Sequence, residues 1–248
     1  AAKITDKTKA IMPVDIAGYP CDYDQLRQIV ESNKERFTPG SKAQEMLGRI
    51  AIVADAAHSI GGSYQGARTG SLTDVSVFSF HAVKNLSTAE GGAIALNLPE
   101  PFNCDELRKM FKTKSLHGQS KDAFSKMQVG GWRYDVVEAG FKCNMTDIQA
   151  SMGLVELARY QEILDRRAEI FSIYDNILGE YDWAQCPTYK SDTKETSYHL
   201  YMFRVKGASE DDRNEIIKRI SEKQVAVNVH YLPVPGMTHY IEAGYSLD

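Results

Sequence analysis

Short apolar runs alternate with helical patterns over the first hundred residues. Four such runs predict strands: 10–15, 50–54, 75–80 and 91–96. The run at 50–54 is continuously apolar, as expected for a strand that is buried on both faces. A helical pattern ends near Val30, with Asp22 or Asp24 as its candidate N-cap, and 37–48 predicts mostly loop. Strands alternating with helices predict an α/β fold with a mostly parallel sheet and flanking helices.

The later part of the chain predicts a long helix, followed by a mixture of strands and a shorter helix. Apolar residues recur near the helical period from Asp147 to about Leu178. Three more elements are predicted after Pro187: a strand at 198–205, an amphipathic helix at 209–223 and a strand at 225–231. We therefore expect 1–155 to be part of a large domain, and 156–248 to be a connecting helix with part of a smaller α+β domain.

Composition narrows the classes of protein that fit this pattern. The 248 residues are 43% hydrophobic and 25% charged, as in ordinary soluble globular proteins. Acidic residues outnumber basic ones by 33 to 29, which gives no electrostatic reason to expect binding to nucleic acid or to an anionic membrane. No apolar run reaches the roughly 18 residues of a membrane span, and the first residues lack a signal-peptide pattern, so we expect a cytoplasmic protein. Four cysteines without CxxC spacing predict free thiols and no metal site.

Candidate chemistry lies where two predicted strands end. Asp55 ends one strand, and Lys84 follows the next strand, which contains Ser79. Since carboxyl ends of parallel strands meet at one edge of a sheet, these residues are expected to be near one another. Pyridoxal phosphate requires a lysine amine, a carboxylate for its pyridine nitrogen and donors for its phosphate. Taken singly, the residues have plainer explanations: a helix cap for Asp55, a solvated charge for Lys84 and a backbone-bonded strand serine for Ser79.

The segment 54–95, ADAAHSIGGSYQGARTGSLTDVSVFSFHAVKNLSTAEGGAIA, resembles the central motifs of the DegT/DnrJ/StrS family of pyridoxal-phosphate sugar aminotransferases. Three further segments are similar to the family pattern: 8–14, 140–150 and 227–235. The resemblance covers most of the chain and implies a fold type I large domain. It also implies that the family's N-terminal third and last helices lie outside this chain.

The resemblance assigns roles to individual residues. Lys84 is similar to the lysine that bonds covalently to the cofactor and moves the proton, and Asp55 to the partner of the pyridine nitrogen. His58 corresponds to a residue that lies against the cofactor ring near its phenolic oxygen, and a buried histidine at a helix start is its alternative. Ser79 matches a hydroxyl that binds the cofactor phosphate.

One segment departs from the family pattern. Many members carry an asparagine and an arginine that reach across a dimer interface, and here Lys142 and Asn144 stand at those positions. A lysine can pair with a phosphate as a point charge, so the resemblance still implies Lys142 as a phosphate ligand in a homodimer with shared active sites.

The implied function is transfer of an amino group, from a donor such as glutamate, to a nucleotide-linked keto sugar in bacterial glycan biosynthesis. Two alternatives share the fold. A pyridoxamine-dependent sugar dehydratase is disfavoured by Lys84, because such members carry histidine there, and a non-catalytic binding protein would not need Asp55, Ser79 and Lys84 together. A Rossmann-type dehydrogenase is disfavoured because no GxGxxG follows a first strand. Candidates for the sugar pocket, with ordinary packing as the alternative, are His199, Tyr201, His230, Tyr231 and His239.

Overall fold

The computed structural model describes residues 1–121, 127–129 and 132–247. The strands within these ranges are β1 Ala10–Ile11, β2 Ala51–Asp55, β3 Ser63–Tyr64, β4 Ala67–Arg68, β5 Val75–Ser79, β6 Gly92–Leu96, β7 Ala184–Gln185, β8 Lys194–Glu195 and β9 Arg204–Val205. The α-helices are α1 Tyr23–Ser32, α2 Lys42–Leu47, α3 Cys104–Ser115, α4 Asp147–Ala158, α5 Tyr160–Leu178, α6 Glu210–Glu222 and α7 Thr238–Glu242. Short 3-10 helices occupy Ile16–Gly18, Lys34–Arg36 and Val234–Gly236.

The chain divides into two compact units. Unit 1 comprises Ala1–Phe171 and Thr188–Leu200, and unit 2 comprises Ser172–Pro187 and the residues from Tyr201 onward. Unit 1 contains β1 to β6 and β8, whereas unit 2 contains β7 and β9. The predicted domain organisation, 1–155 and 156–248, stays a prediction.

The main sheet of unit 1 has the strand order β1-β2-β5-β6. β2 runs parallel to β1 and to β5, and β6 is antiparallel to β5, which confirms the expected mostly parallel sheet. Ile50 and Ile52 are buried in one core cluster with Val30 of α1 and with Ile4. One face of β2 is thus buried, whereas Ala51 and Val53 on the other face are half-buried, so the strand is not fully buried on both faces as its continuous apolar run predicted.

Local capping follows the predicted helix starts. The Asp22 carboxylate accepts a hydrogen bond from the backbone N–H of Gln25, so Asp22 is the N-cap of α1. The predicted helix at 209–223 is confirmed as α6, which begins with a capping box of Ser209 and Asp212. The pattern from Asp147 to Leu178 forms two helices, α4 and α5, that are separated at Arg159.

Three other predictions from the pattern were wrong. The stretch 37–48, expected to be mostly loop, contains α2, which is capped by Ser41 at its start and by the left-handed Gly48 (φ 65°) at its end. Only β9 forms within the predicted strand at 198–205, because the backbone of Leu200 bonds to the Ala17 carbonyl rather than to a neighbouring strand. The segment 225–231 pairs with no described strand, and a strand without a partner lacks the ladder that would stabilise it.

Three findings concern the whole described chain. None of the described helices is both long and apolar enough to cross a membrane. All four cysteines are free, as the spacing predicted: Cys21, Cys104, Cys143 and Cys186. Among the residues that the structure describes, no group of three His, Cys, Asp or Glu side chains is arranged to hold a metal ion.

Candidate active site

The candidate site lies where the parallel strands of the main sheet end. Asp55 is the last residue of β2 and Ser79 is the last residue of β5. The two strands are neighbours, with Asp55 opposite Val77. The segment after β1 reaches the same edge, since the Asp15 N–H donates to the Asp55 carbonyl over 3.0 Å. The carboxyl ends of three strands therefore meet here, as the sequence predicted.

Only one of the two Asp55 carboxylate oxygens accepts a hydrogen bond from the described residues. Its Oδ1 accepts a hydrogen bond from the backbone N–H of Ala57 over 3.1 Å. Its Oδ2 accepts none from the part of the chain that the structure describes, and the residue is exposed. One oxygen thus fixes the orientation of the side chain, and the other can receive an N–H from a bound molecule.

Lys84 is partly buried in the turn that follows β5. Its backbone N–H donates to the His81 carbonyl over 2.9 Å, which closes the turn. Burial lowers the pKa of the Lys84 amine below its ordinary value, and the charge of Asp55 opposes this shift. The structure therefore brings Lys84 within electrostatic reach of Asp55. The lowered pKa increases the fraction of neutral, nucleophilic amine at a given pH.

The turn that carries Lys84 is held at both ends. The Phe80 N–H donates to the Gly91 carbonyl over 2.8 Å, and the Thr88 N–H donates to the Phe80 carbonyl over 2.9 Å. Ser79 Oγ accepts the His81 N–H at 3.3 Å, which leaves the hydroxyl proton of Ser79 for another acceptor. These bonds close the segment from Phe80 to Gly91 into one loop that holds Lys84 at the sheet edge.

His58 lies just after β2 and is half-buried. Its Nδ1 accepts the Ala17 N–H over 3.2 Å, so its neutral ring carries the proton on Nε2. Its ring packs against that of His199, with 4.4 Å between centroids and a tilt of 47°. The structure thus holds His58 beside the strand end that also presents Asp55.

The sequence analysis missed Asn85 as part of this region. Asn85 directly follows Lys84 and is buried. Its Nδ2 donates to the Ser197 carbonyl over 2.6 Å, and its Oδ1 lies 2.9 Å from Nδ1 of His199. No local pattern indicates these partners, because they lie more than a hundred residues further along the chain.

Lys142 lies in a different segment of the chain from Asp55, Ser79 and Lys84. It lies in the segment between β6 and α4, where it pairs with Leu116 in an isolated antiparallel bridge. Its ammonium donates a hydrogen bond to Oδ1 of Asn144. The two residues that depart from the family pattern are therefore joined to each other, and this bond does not link Lys142 to Asp55 or Lys84.

The sugar-pocket candidates fall into both units. His199 belongs to unit 1, where its ring is buried against His58. The other four candidates lie in unit 2: Tyr201, His230, Tyr231 and His239. Tyr201 donates to Asp175 Oδ1 over 2.6 Å, and the His230 and Tyr231 rings contact each other with 4.7 Å between centroids.

The mostly parallel sheet, with Lys84 after one strand and Asp55 after its neighbour, has the fold of the fold type I aminotransferases. Within that class, the DegT/DnrJ/EryC1/StrS aminotransferase family matches residues 1–246. This chain belongs to that family.

Three relatives illustrate the similarity. The spore coat polysaccharide biosynthesis protein SpsC of Bacillus subtilis is 30% identical over 236 residues, which are 94% of this chain and 55% of SpsC. Spr1654 of Streptococcus pneumoniae, assigned as a sugar aminotransferase, is 48% identical in its PMP form, with a TM-score of 0.91 over 98% of this chain and 60% of that one. PseC of Helicobacter pylori, an aminotransferase involved in the biosynthesis of pseudoaminic acid, is 25% identical, with a TM-score of 0.79 over 97% of this chain and 57% of PseC. The chain thus spans little more than half the length of these relatives.

Proposed function

We propose that the protein is a pyridoxal 5'-phosphate-dependent aminotransferase that moves an amino group from glutamate to a nucleotide-linked keto sugar. The observation that carries the proposal is the meeting of Asp55, Ser79 and the turn that carries Lys84 at one edge of the main sheet. Burial, which lowers the pKa of the Lys84 amine, is consistent with it. The family supports the reaction type. The solved PLP and PMP forms of Spr1654 support the cofactor, because these are the two forms between which a transaminase cycles.

The residues at the sheet edge fit this cofactor. The free Oδ2 of Asp55 can accept the N–H of a protonated pyridine ring, and the hydroxyl proton of Ser79 can be donated to a phosphate oxygen. The Lys84 amine is held on a closed loop next to these groups. When bound, the cofactor supplies an electron sink for the carbon that gains or loses a proton.

Each residue then has a defined task. Asp55 keeps the pyridine nitrogen protonated, because a nearby carboxylate favours the charged form. Lys84 holds the cofactor in the resting enzyme and afterwards carries the transferred proton on Nζ, for which its lowered pKa is suited. His58 would lie against the cofactor ring, with its own orientation set by the Ala17 N–H.

The proposal also covers the assembly and the substrate. Lys142 would bind the cofactor phosphate of the partner subunit in a homodimer with shared active sites, which requires the Lys142–Asn144 bond to open. The description of SpsC as a polysaccharide biosynthesis protein and that of Spr1654 as a sugar aminotransferase support a sugar as the amino acceptor. We place the reaction in the cytoplasm of a bacterium that builds an amino-sugar glycan.

The test uses the full-length protein with added pyridoxal 5'-phosphate. We expect a visible absorption band, and borohydride reduction followed by peptide mass mapping should place the cofactor on Lys84. Lys84→Ala should abolish the band and the turnover, whereas Lys34→Ala, which removes an exposed lysine paired with Glu31, should change neither. Label on another lysine, or an active Lys84→Ala variant, would refute the assignment.

The amino donor and acceptor are tested separately. Glutamate should bleach the band, and 2-oxoglutarate should restore it. The bleached enzyme should then aminate a keto sugar linked to a nucleoside diphosphate and should not aminate the free keto sugar. A band that glutamate leaves unchanged would rule out glutamate as the donor, and equal rates with the free sugar would rule out nucleotide recognition.

A further inference from the structure

His199 is the buried partner of His58. It is only 9% exposed, and its ring centroid lies 4.4 Å from that of His58. Its Nδ1 lies 2.9 Å from Asn85 Oδ1, and its backbone carbonyl accepts a hydrogen bond from Arg167 Nη1 over 3.3 Å. Asn85 and His58 therefore contact this imidazole directly, and Arg167 holds the backbone of the same residue.

The hydrogen bonds assign a proton position to each ring. Asn85 Nδ2 donates to the Ser197 carbonyl, so its Oδ1 faces His199 and must accept a hydrogen bond from the Nδ1–H of His199. The neutral His199 ring thus carries its proton on Nδ1. The neutral His58 ring carries its proton on Nε2, because the Ala17 N–H already occupies its Nδ1. Each ring is fixed in one tautomer by a group outside the pair.

Two residues in the left-handed backbone region flank the pair. Ala17, which donates to His58, has φ 59°, and Tyr198, which precedes His199, has φ 56°. Neither is a glycine, so the backbone is strained at both positions. Strain of this kind persists where surrounding contacts enforce it, and it is concentrated at functional sites.

The contacts that enforce it join the two segments directly. Ser197 Oγ donates to the His58 carbonyl, and the Ser197 N–H donates to the Gly18 carbonyl over 3.1 Å. The Leu200 N–H donates to the Ala17 carbonyl over 3.3 Å. The segment 197–200 around His199 is thus hydrogen-bonded to His58 and to the residues that orient it, Ala17 and Gly18.

We propose that His199 is a positioning residue: its ring holds the plane of the His58 imidazole, and Asn85 couples that ring to the turn that carries Lys84. The proposal rests on the proposed function, in which His58 lies against the cofactor ring. His199 itself touches neither cofactor nor substrate in this arrangement. It acts only through His58.

The first test needs no cofactor. In full-length protein with ¹³C-labelled histidine, the imidazole signals of His58 are identified by their loss in His58→Gln. His199→Ala should shift these signals, because it removes the stacked ring. Val30→Ala is the matched control, since Val30 is buried in the core cluster of Ile4, Ile50 and Ile52. It should lower stability and leave the His58 signals in place.

The second test is a kinetic cycle with the cofactor bound. His199→Ala should lower kcat on the order of 10-fold, as expected for misplacement of a group that orients the cofactor. If His199 acts through His58, the double variant with His58→Ala should be no slower than His58→Ala alone. His199→Phe restores a stacked ring without the Nδ1 proton, so it should recover kcat while stability stays low.

The outcomes are distinct. Unshifted His58 signals in His199→Ala, or rate losses that multiply in the double variant, would overturn the positioning role. Loss of kcat in His199→Phe equal to that in His199→Ala would overturn it as well, since the effect would then follow stability alone. A wild-type protein in which no cofactor attaches to Lys84 would refute the proposed function. Failure of the His58–His199 contact is a different result, because the measurement of the His58 signals is made without the cofactor.

Discussion

Gly18 is the residue on which the arrangement around His58 depends most directly. It is buried, has φ 92°, and lies where a Cβ atom would meet the Ser197 hydroxyl and, at 2.8 Å, the carbonyl oxygen of His58. Gly18→Ala therefore introduces two separate costs. A left-handed conformation costs a non-glycine residue about 1–2 kcal/mol. Forcing a methyl group into packed atoms costs about 1–3 kcal/mol more.

Gly66→Ala separates the two costs. Gly66 has φ 80°, but a Cβ there would have no neighbour within 4 Å. We expect Gly66→Ala to lower the free energy of unfolding by about 1–2 kcal/mol and Gly18→Ala by about 2–5 kcal/mol. Urea unfolding of the full-length protein measures both values, and unchanged m-values would show that the unfolding transition is comparable.

A second substitution checks the steric part. Ser197→Ala removes the hydroxyl that the new methyl group would meet, although it also removes the hydrogen bond to His58. The double variant should therefore be more stable than the sum of the two single effects predicts. If Gly18→Ala and Gly66→Ala destabilise equally, or if Ser197→Ala gives no relief, the close packing of Gly18 against the His58 and Ser197 segments is refuted.

Three further predictions concern charge at and behind the sheet edge. Asp55→Asn should still attach the cofactor to Lys84 but should lower kcat on the order of 100-fold, because the pyridine nitrogen loses its anionic partner; turnover at the wild-type rate would contradict this role. Competitive acetylation of the cofactor-free protein at increasing pH should give the Lys84 amine a titration midpoint below pH 10.5. Asp55→Asn should lower that midpoint further, because the Asp55 charge raises the pKa that burial lowers. A midpoint that rises in Asp55→Asn would refute the electrostatic argument. Asp74→Asn should cost about 3–5 kcal/mol of unfolding free energy, since the nearly buried Asp74 binds the Arg49 guanidinium at 2.6 and 2.8 Å, whereas Glu210→Gln in the exposed pair with Arg213 should cost less than about 1 kcal/mol.

The sequence predicted the residues at the sheet edge because their placement follows from strand order. Asp55 and Ser79 each end a short β-rich run, and neighbouring parallel strands must end at the same edge. Lys84 follows within one turn, so its position is fixed by local chain length. The placement of these three residues at one sheet edge can therefore be predicted without information about distant contacts.

The parts that were missed depend on long-range contacts or on patterns that were misread. The contact between Asn85 and His199 joins segments that no periodicity connects. The alternation of apolar and polar residues at 225–231 is that of a strand, yet no described strand pairs with it. Helix α2 does not depend on long-range contacts, because its cap residues Ser41 and Gly48 are adjacent to it in the sequence. The preceding Pro39-Gly40 is typical of a loop and led to the wrong prediction.

The behaviour of Lys84 follows from two opposed effects. Burial favours the neutral amine, which is needed for attack on a carbonyl, while the Asp55 charge favours the ammonium form, which is needed to donate a proton. Moving Asp55 away would lower the Lys84 pKa further and, in the proposed function, would remove the acceptor for the pyridine N–H. Because one carboxylate performs both tasks, the amine cannot be tuned through Asp55 alone. Burial of the turn also sets the Lys84 pKa, and Asn85, which directly follows Lys84, anchors that turn to Ser197 and His199 without adding a charge at the sheet edge.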